Sequence, residues 1–329
     1  MKYFKITIFI ILFLASCKTP SEPQKEREFK LITEYHLSGY AQGLFLEDSL
    51  LFVADGQGGL VILDISYLPD SMKFISQKET GYNAVSVCVK DSFAFIGFND
   101  VNRKGIWVYK ISDLSNPEWI TGDEGLAYAY DVWLPSQDTN YLYIASGYWY
   151  YIEDLSGLPY YLSFAKRYHP PGKARGIFAD SNYVYLACEQ MGVVIYPALV
   201  PEVPDSEAIV SWMDTPNNAR DLVVKNNKIF VADGYGGLVI IDIIDIENPF
   251  IISSIDLSGY AQKLEVDGNK VYIACGNEGV FGIDLSDVYN PEIFAVFKAS
   301  YIYDVKVNED YIFVADRDRG IIVLSKEIE

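Results

Sequence analysis

The six residues LSGYAQ stand at 37–42 and again at 257–262. They are the most faithful fragment of a repeat that runs through the chain, and a repeat of this length limits the fold more than any other feature. The segment LLFVADGQGGLVILDIS (50–66) returns as KIFVADGYGGLVIIDII (228–244) and more loosely as KVYIACGNEGVFGIDLS (270–286). Looser copies lie at 92–112, 183–199 and 311–325, and a remnant at 141–156 keeps only Gly147 of the glycine turn. Upstream of each copy an alignable small or apolar residue recurs: Ala41, Ala84, Ala129, Ala174, Ala219, Ala261 and Ile302, spaced 41 to 45 residues apart. Seven units of this period are what four-stranded propeller blades require.

The inside of a unit agrees. In the fifth, Arg220–Val224 reads as a short strand, Lys225-Asn226-Asn227 as a tight turn, and Lys228–Ala232 as a second strand. The stretch at 233–237 (DGYGG) is a hairpin loop, because glycine enters positive φ without steric cost. Leu238–Asp242 and Phe250–Asp256 complete four strands. The second and third strands are almost continuously apolar, as expected of a sheet covered on both faces. Outer strands are expected at Met72–Gln77, Glu118–Thr121, Tyr160–Phe164, Ala208–Trp212, Phe250–Asp256 and Glu292–Lys298. The seventh unit has none before Glu329. However, FKLITEYHLSGYAQ (29–42) aligns with FIISSIDLSGYAQ (250–262). The expected fold is therefore all-β, a seven-bladed β-propeller over 29–329, closed by an N-terminal strand (about 29–37) that pairs into the last blade. Closure of that kind leaves no open end to the array.

The third strands LVILD (60–64), LVIID (238–242) and VFGID (280–284), with VADG or IACG upstream, resemble the LVIVD repeat. The middle units depart from it, with Lys110 or Tyr196 where the closing Asp should stand. The resemblance implies a secreted or surface propeller and no established reaction.

The N-terminus is of another kind. Lys2 and Lys5 precede an apolar run, Ile6–Leu14, that is too short to span a bilayer. Leu14-Ala15-Ser16-Cys17 then resembles the lipobox of bacterial lipoproteins. The resemblance implies a signal peptide over 1–16, diacylation of Cys17, and a polar tether over 17–28, with the chain held on the membrane by its lipid. Lys18 is not the Asp of the inner-membrane retention signal, so an outer-membrane location is expected.

Net charge is −19, which disfavours nucleic acid and anionic lipid headgroups as partners. Cys188 and Cys275 occupy equivalent places in different units, too far apart for a disulfide or a shared metal. Asp64, Asp154, Asp242 and Asp284 close third strands, where a carboxylate can bond backbone N–H groups two residues on and fix a turn. His36 and His169 are the only histidines, and no G-x-S-x-G, H-E-x-x-H, phosphate-loop or EF-hand pattern occurs. No catalytic residue, metal site or cofactor is expected.

The residue after each aligned position should ring the mouth of the central channel: Gln42, Val85, Tyr130, Arg175, Arg220, Gln262 and Tyr303. Tyr40, Tyr82, Tyr128, Tyr260 and Tyr301 stand close before them. Such a Tyr-rich rim with two Arg suits a protein or glycan partner. The other reading of Arg175 and Arg220 is as staples on carboxylates such as Asp131 and Asp221. The reading that follows is a monomeric, non-catalytic binding scaffold of the cell envelope, with an envelope protein or glycan as partner. A metal-dependent hydrolase or lyase on the same fold and a purely structural envelope component remain open. The Gln, Val, Tyr and Arg of the mouth are poor ligands for Ca²⁺.

Overall fold

A computed structural model of the protein describes residues 27–100, 104–126, 128–135, 140–198 and 208–328. Its strands form seven antiparallel four-stranded sheets. Six are built from consecutive strands, spanning 43–78, 84–123, 131–168, 176–213, 221–255 and 263–297. These are blades one to six. The innermost strands touch their neighbours around a closed ring, blade seven meeting blade one.

Blade seven is completed by the N-terminal strand, as the alignment of 29–42 with 250–262 predicts. Leu31–Tyr35 lies antiparallel to Gly320–Ser325, with Leu31 opposite Leu324 and Tyr35 opposite Ile321. The Ser325 N–H donates to the Lys30 carbonyl at 2.9 Å, and the Arg319 Nε–H donates to Glu34 Oε2 at 3.0 Å. The entering chain also grips blade six. The Val296 N–H donates to the Arg27 carbonyl at 2.9 Å, and buried Phe29 packs edge-on against Phe294.

The core is divided into seven apolar clusters, one at each junction between adjacent blades. Strand alternation explains how one run serves two clusters. In blade one Phe52, Ala54, Leu60 and Ile62 face blade two, whereas Leu51, Val53, Val61 and Leu63 face blade seven. Both faces are therefore dry, and the apolar run is continuous.

The aligned small residue is explained by a bridge between blades. Ala84, Ala174, Ala219, Ala261 and Ile302 each form an isolated antiparallel bridge to the loop of the preceding blade, at Gly56, Gly147, Glu189, Gly234 and Gly276. All five are fully buried. The Asp closing the second strand secures the same junction. Asp233 accepts from Thr215 Oγ1 at 2.7 Å and from the Asn217 N–H at 2.8 Å, and Asp316 accepts from the Ser300 N–H at 3.1 Å. Asp64, Asp154, Asp242 and Asp284 each accept the backbone N–H two residues on, at 2.7 to 2.9 Å. Gly237 opens its third strand at φ +72°, where a Cβ would lie 2.2 Å from the Ile255 carbonyl oxygen.

Two outer strands sit later than the sequence pattern placed them, at Ser163–Tyr168 and Ser211–Met213. In blade three the approach to the strand contains Tyr160 and Tyr161, which are exposed in the connection instead; in blade four Ala208 is buried and Ile209 and Val210 are partly buried ahead of the strand. Cys88, Cys188 and Cys275 are buried free thiols in blades two, four and six. Cys17 and the rest of the proposed signal lie outside the described residues.

Removing residues 27–36 should lower the melting temperature by more than about 5 °C. It should also raise amide exchange in 320–325 and 292–297 together. Unchanged protection of both strands would contradict closure by this segment.

Candidate binding site at the channel

The blade-to-blade bridges bring the loops between second and third strands onto the same face as the starts of the innermost strands. The predicted rim residues gather there unevenly. A continuous array runs from blade three to blade six. Arg175 lies over the Tyr130 ring at 4.0 Å and donates through Nε to Glu189 at 2.5 Å. Glu189 also holds Arg220 at 3.5 Å, and Arg220 lies 5.7 Å from the centre of the Tyr260 ring. The carboxylate that staples both guanidinium groups is thus Glu189, on the loop of blade four. The Asp131 and Asp221 carboxylates are engaged elsewhere.

Other rim residues form separate groups. Tyr301 and Tyr303 pack at 4.9 Å, with Arg317 over Tyr301 at 5.6 Å. The Gln42 side chain donates to Asn83, and that of Gln262 donates to the Ile302 carbonyl at 3.1 Å. Tyr128 stacks on Tyr130. Tyr82 leaves the rim and packs edge-on against Phe98 and Trp107 inside blade two. Tyr40 and Tyr235 stand out from the face, 55% and 71% exposed.

One step below the mouth lies a ring of charged side chains that nothing in the repeat pattern marks. Two residues after each aligned position come Gly43, Ser86, Asp131, Gly176, Asp221, Lys263 and Asp304. The innermost strand of every blade leaves one edge unpaired towards the axis, and an unsatisfied N–H there is costly. Asp131 accepts the Ile177 N–H at 3.0 Å, Asp221 the Leu264 N–H at 3.0 Å, and Asp304 the Leu44 N–H at 2.8 Å. Each Asp therefore caps the edge of the next blade, from three to four, five to six and seven to one. Lys263 joins Asp131 at 2.7 Å and Asp221 at 3.3 Å, and Lys306 joins Glu265 at 2.8 Å. Burial opposes the charge on Lys263, but Asp131, Asp221 and Asp304 outweigh it and hold the ammonium above its ordinary range. Burial raises the pKa of Asp131 and of Asp304, against the pull of the lysines. Among the described residues no group of three or more His, Cys, Asp or Glu is arranged to hold a metal ion.

A further buried carboxyl lies away from the channel. Glu153 is fully buried in the third strand of blade three, and among the described residues neither oxygen has a hydrogen-bond partner. Burial, with a smaller push from Asp123, raises its pKa from 4.5 to about 7. The equivalent positions are Leu63, Ile241, Ile283 and Leu324 in blades one, five, six and seven and Tyr109 and Tyr196 in blades two and four. The neutral form is the one that the fold accepts. Its stabilisation relative to the unfolded chain is complete below about pH 4.5 and is lost as pH rises through about 7. Glu153→Leu should therefore raise the melting temperature more at pH 8 than at pH 5. An equal gain at both would show that Glu153 does not titrate in this range.

Residues 38–75, 216–256, 258–296 and 300–324 match the family model described as the LVIVD repeat. These segments fall on blades one, five, six and seven, where the three most regular third strands were read. No curated protein matches the chain. Among solved structures, the crystal structure of the computationally designed Ika8 protein is similar, with a TM-score of 0.62 at 10% identity. The likeness covers 91% of this chain and 99% of the designed one, and at that identity it bears on the fold alone. The chain is thus a seven-bladed β-propeller that carries LVIVD repeats in four of its blades.

Proposed function

We propose that this protein is an exported, lipid-anchored binding scaffold of the cell envelope, without catalysis, that presents its channel-mouth face to an envelope protein or a glycan. The observation that carries the reading is the array Tyr130–Arg175–Glu189–Arg220–Tyr260, drawn from four blades and fixed before any partner arrives. Aromatic rings and guanidinium groups held in place lose little side-chain entropy on binding. Tyr40 and Tyr235 extend this surface into solvent. The anchor rests on the Leu14-Ala15-Ser16-Cys17 motif, and the outer membrane on Lys18 after it.

Two measurements test the reading separately. Cys17→Ala should move the protein from the membrane to the soluble fraction, and retention on the membrane would remove the lipid anchor. Tyr40→Ala combined with Tyr235→Ala should weaken capture of envelope proteins or glycans at least about tenfold, a loss of roughly 1.4 kcal/mol. Both side chains are exposed, so the melting temperature should hold within about 2 °C. Unchanged capture would remove the mouth face as the contact.

One observation favours a structural component of a larger assembly as the second reading. Phe74, Trp119, Phe164 and Trp212, on the outer strands of blades one to four, are each at least half exposed. Substituting these four by Ser would then abolish assembly while the double Tyr variant would not.

A further inference from the structure

A cavity of about 390 Å³ lies on the axis, lined by the innermost strands of all seven blades. That volume falls in the range, roughly 300–1,000 Å³, of cavities that hold small molecules. Its wall carries two kinds of side chain, aromatic and charged. Phe45, Trp133 and Phe178 come from blades one, three and four, with the Trp133 and Phe178 rings 4.5 Å apart. Lys263, Glu265, Asp304 and Lys306 come from blades six and seven.

The charges on the wall do not balance. Four carboxylates (Asp131, Asp221, Glu265 and Asp304) meet two ammonium groups. Lys263 is taken by Asp131 and Asp221, and Lys306 by Glu265. Asp304 is 4% exposed and accepts only the Leu44 and Val305 N–H groups, both at 2.8 Å. Among the described residues no cation lies within ion-pair distance of it, and Lys306 and Lys263 act on it only from further off. Capping of strand edges accounts for Asp131, Asp221 and Asp304. It accounts neither for the space nor for the aromatic side chains of the wall.

We propose that this axial cavity binds a small organic cation, a primary amine on a flat apolar body, with its ammonium beside Asp304 and its body against Phe45, Trp133 and Phe178. A cation there restores the charge balance in a site of low dielectric, and an aromatic wall attracts the same charge through its ring faces. The inference is independent of the mouth-face reading. It concerns a different layer of the channel and a ligand of the opposite charge preference from an Arg-lined rim.

The test uses the purified full chain and titration calorimetry with phenethylamine and tryptamine. Tryptophol serves as the neutral counterpart and indole propionate as the anionic one. At least one amine should bind, about tenfold or more tighter than both counterparts. Asp304→Asn should erase that preference. Because Asp304 also caps blade one, a second variant, Val223→Phe, fills the cavity from blade five and should abolish amine binding with Asp304 intact. Absence of binding by both amines overturns the proposal, as does equal binding of tryptophol or binding that survives Val223→Phe. Neither result bears on capture at Tyr40 and Tyr235.

Discussion

Everything in this molecule depends on a five-residue strand from one end of the chain pairing with the last strand at the other. Leu31–Tyr35 supplies the outer strand of blade seven, and Arg27–Phe29 reaches back to blade six. A ring of sheets is stable only when each sheet has a neighbour on both faces. The closing segment completes blade seven between blades six and one, adding Ile32 and Tyr35 to the cluster on one face and Phe29 to that on the other. The contact is also the longest in sequence, so its loop-closure entropy must be met by the apolar packing on either side of it.

Packing around a ring leaves the axis as the one place where backbone is unpaired. The protein meets this with side chains from alternate blades. Asp131, Asp221 and Asp304 reach from blades three, five and seven to the N–H edge of the next. Buried carboxylates need cations, and Lys263 supplies one to Asp131 and Asp221 and Lys306 one to Glu265, while neither comes within ion-pair distance of Asp304. The result is a lining of charged and aromatic side chains, within a fold whose repeat would by itself make the seven blades alike. Departures from the repeat thus collect at the axis, and function is to be sought among them.

The repeat was legible because it follows two local rules. Glycine stands where φ must be positive, as at Gly237, and both faces of the middle strands are apolar, as in Leu60–Leu63. The seam was legible because 29–42 aligns with 250–262 and is identical to it over LSGYAQ. Ser163–Tyr168 and Ser211–Met213 were misplaced by a few residues, since an outer strand pairs on one edge only and its composition binds it weakly to one register. The contacts among the rim positions were not legible, and Tyr82, expected at the rim, packs on Phe98 and Trp107 instead. Glu189 lies on a loop whose sequence varies from blade to blade, so nothing local marks it as the partner of both Arg175 and Arg220.

The sequence alone determined the number of blades, their inner strands and the closing strand, because these follow from period, alternation and turn chemistry within some 45 residues. Only the tertiary structure decided which side chains meet across blades. Asp131 and Lys263 are 132 positions apart in the chain yet 2.7 Å apart at the axis. No local rule encodes that distance. It arises because a closed ring brings the same edge of every blade to one line, and there charge, space and unpaired backbone have to be settled together.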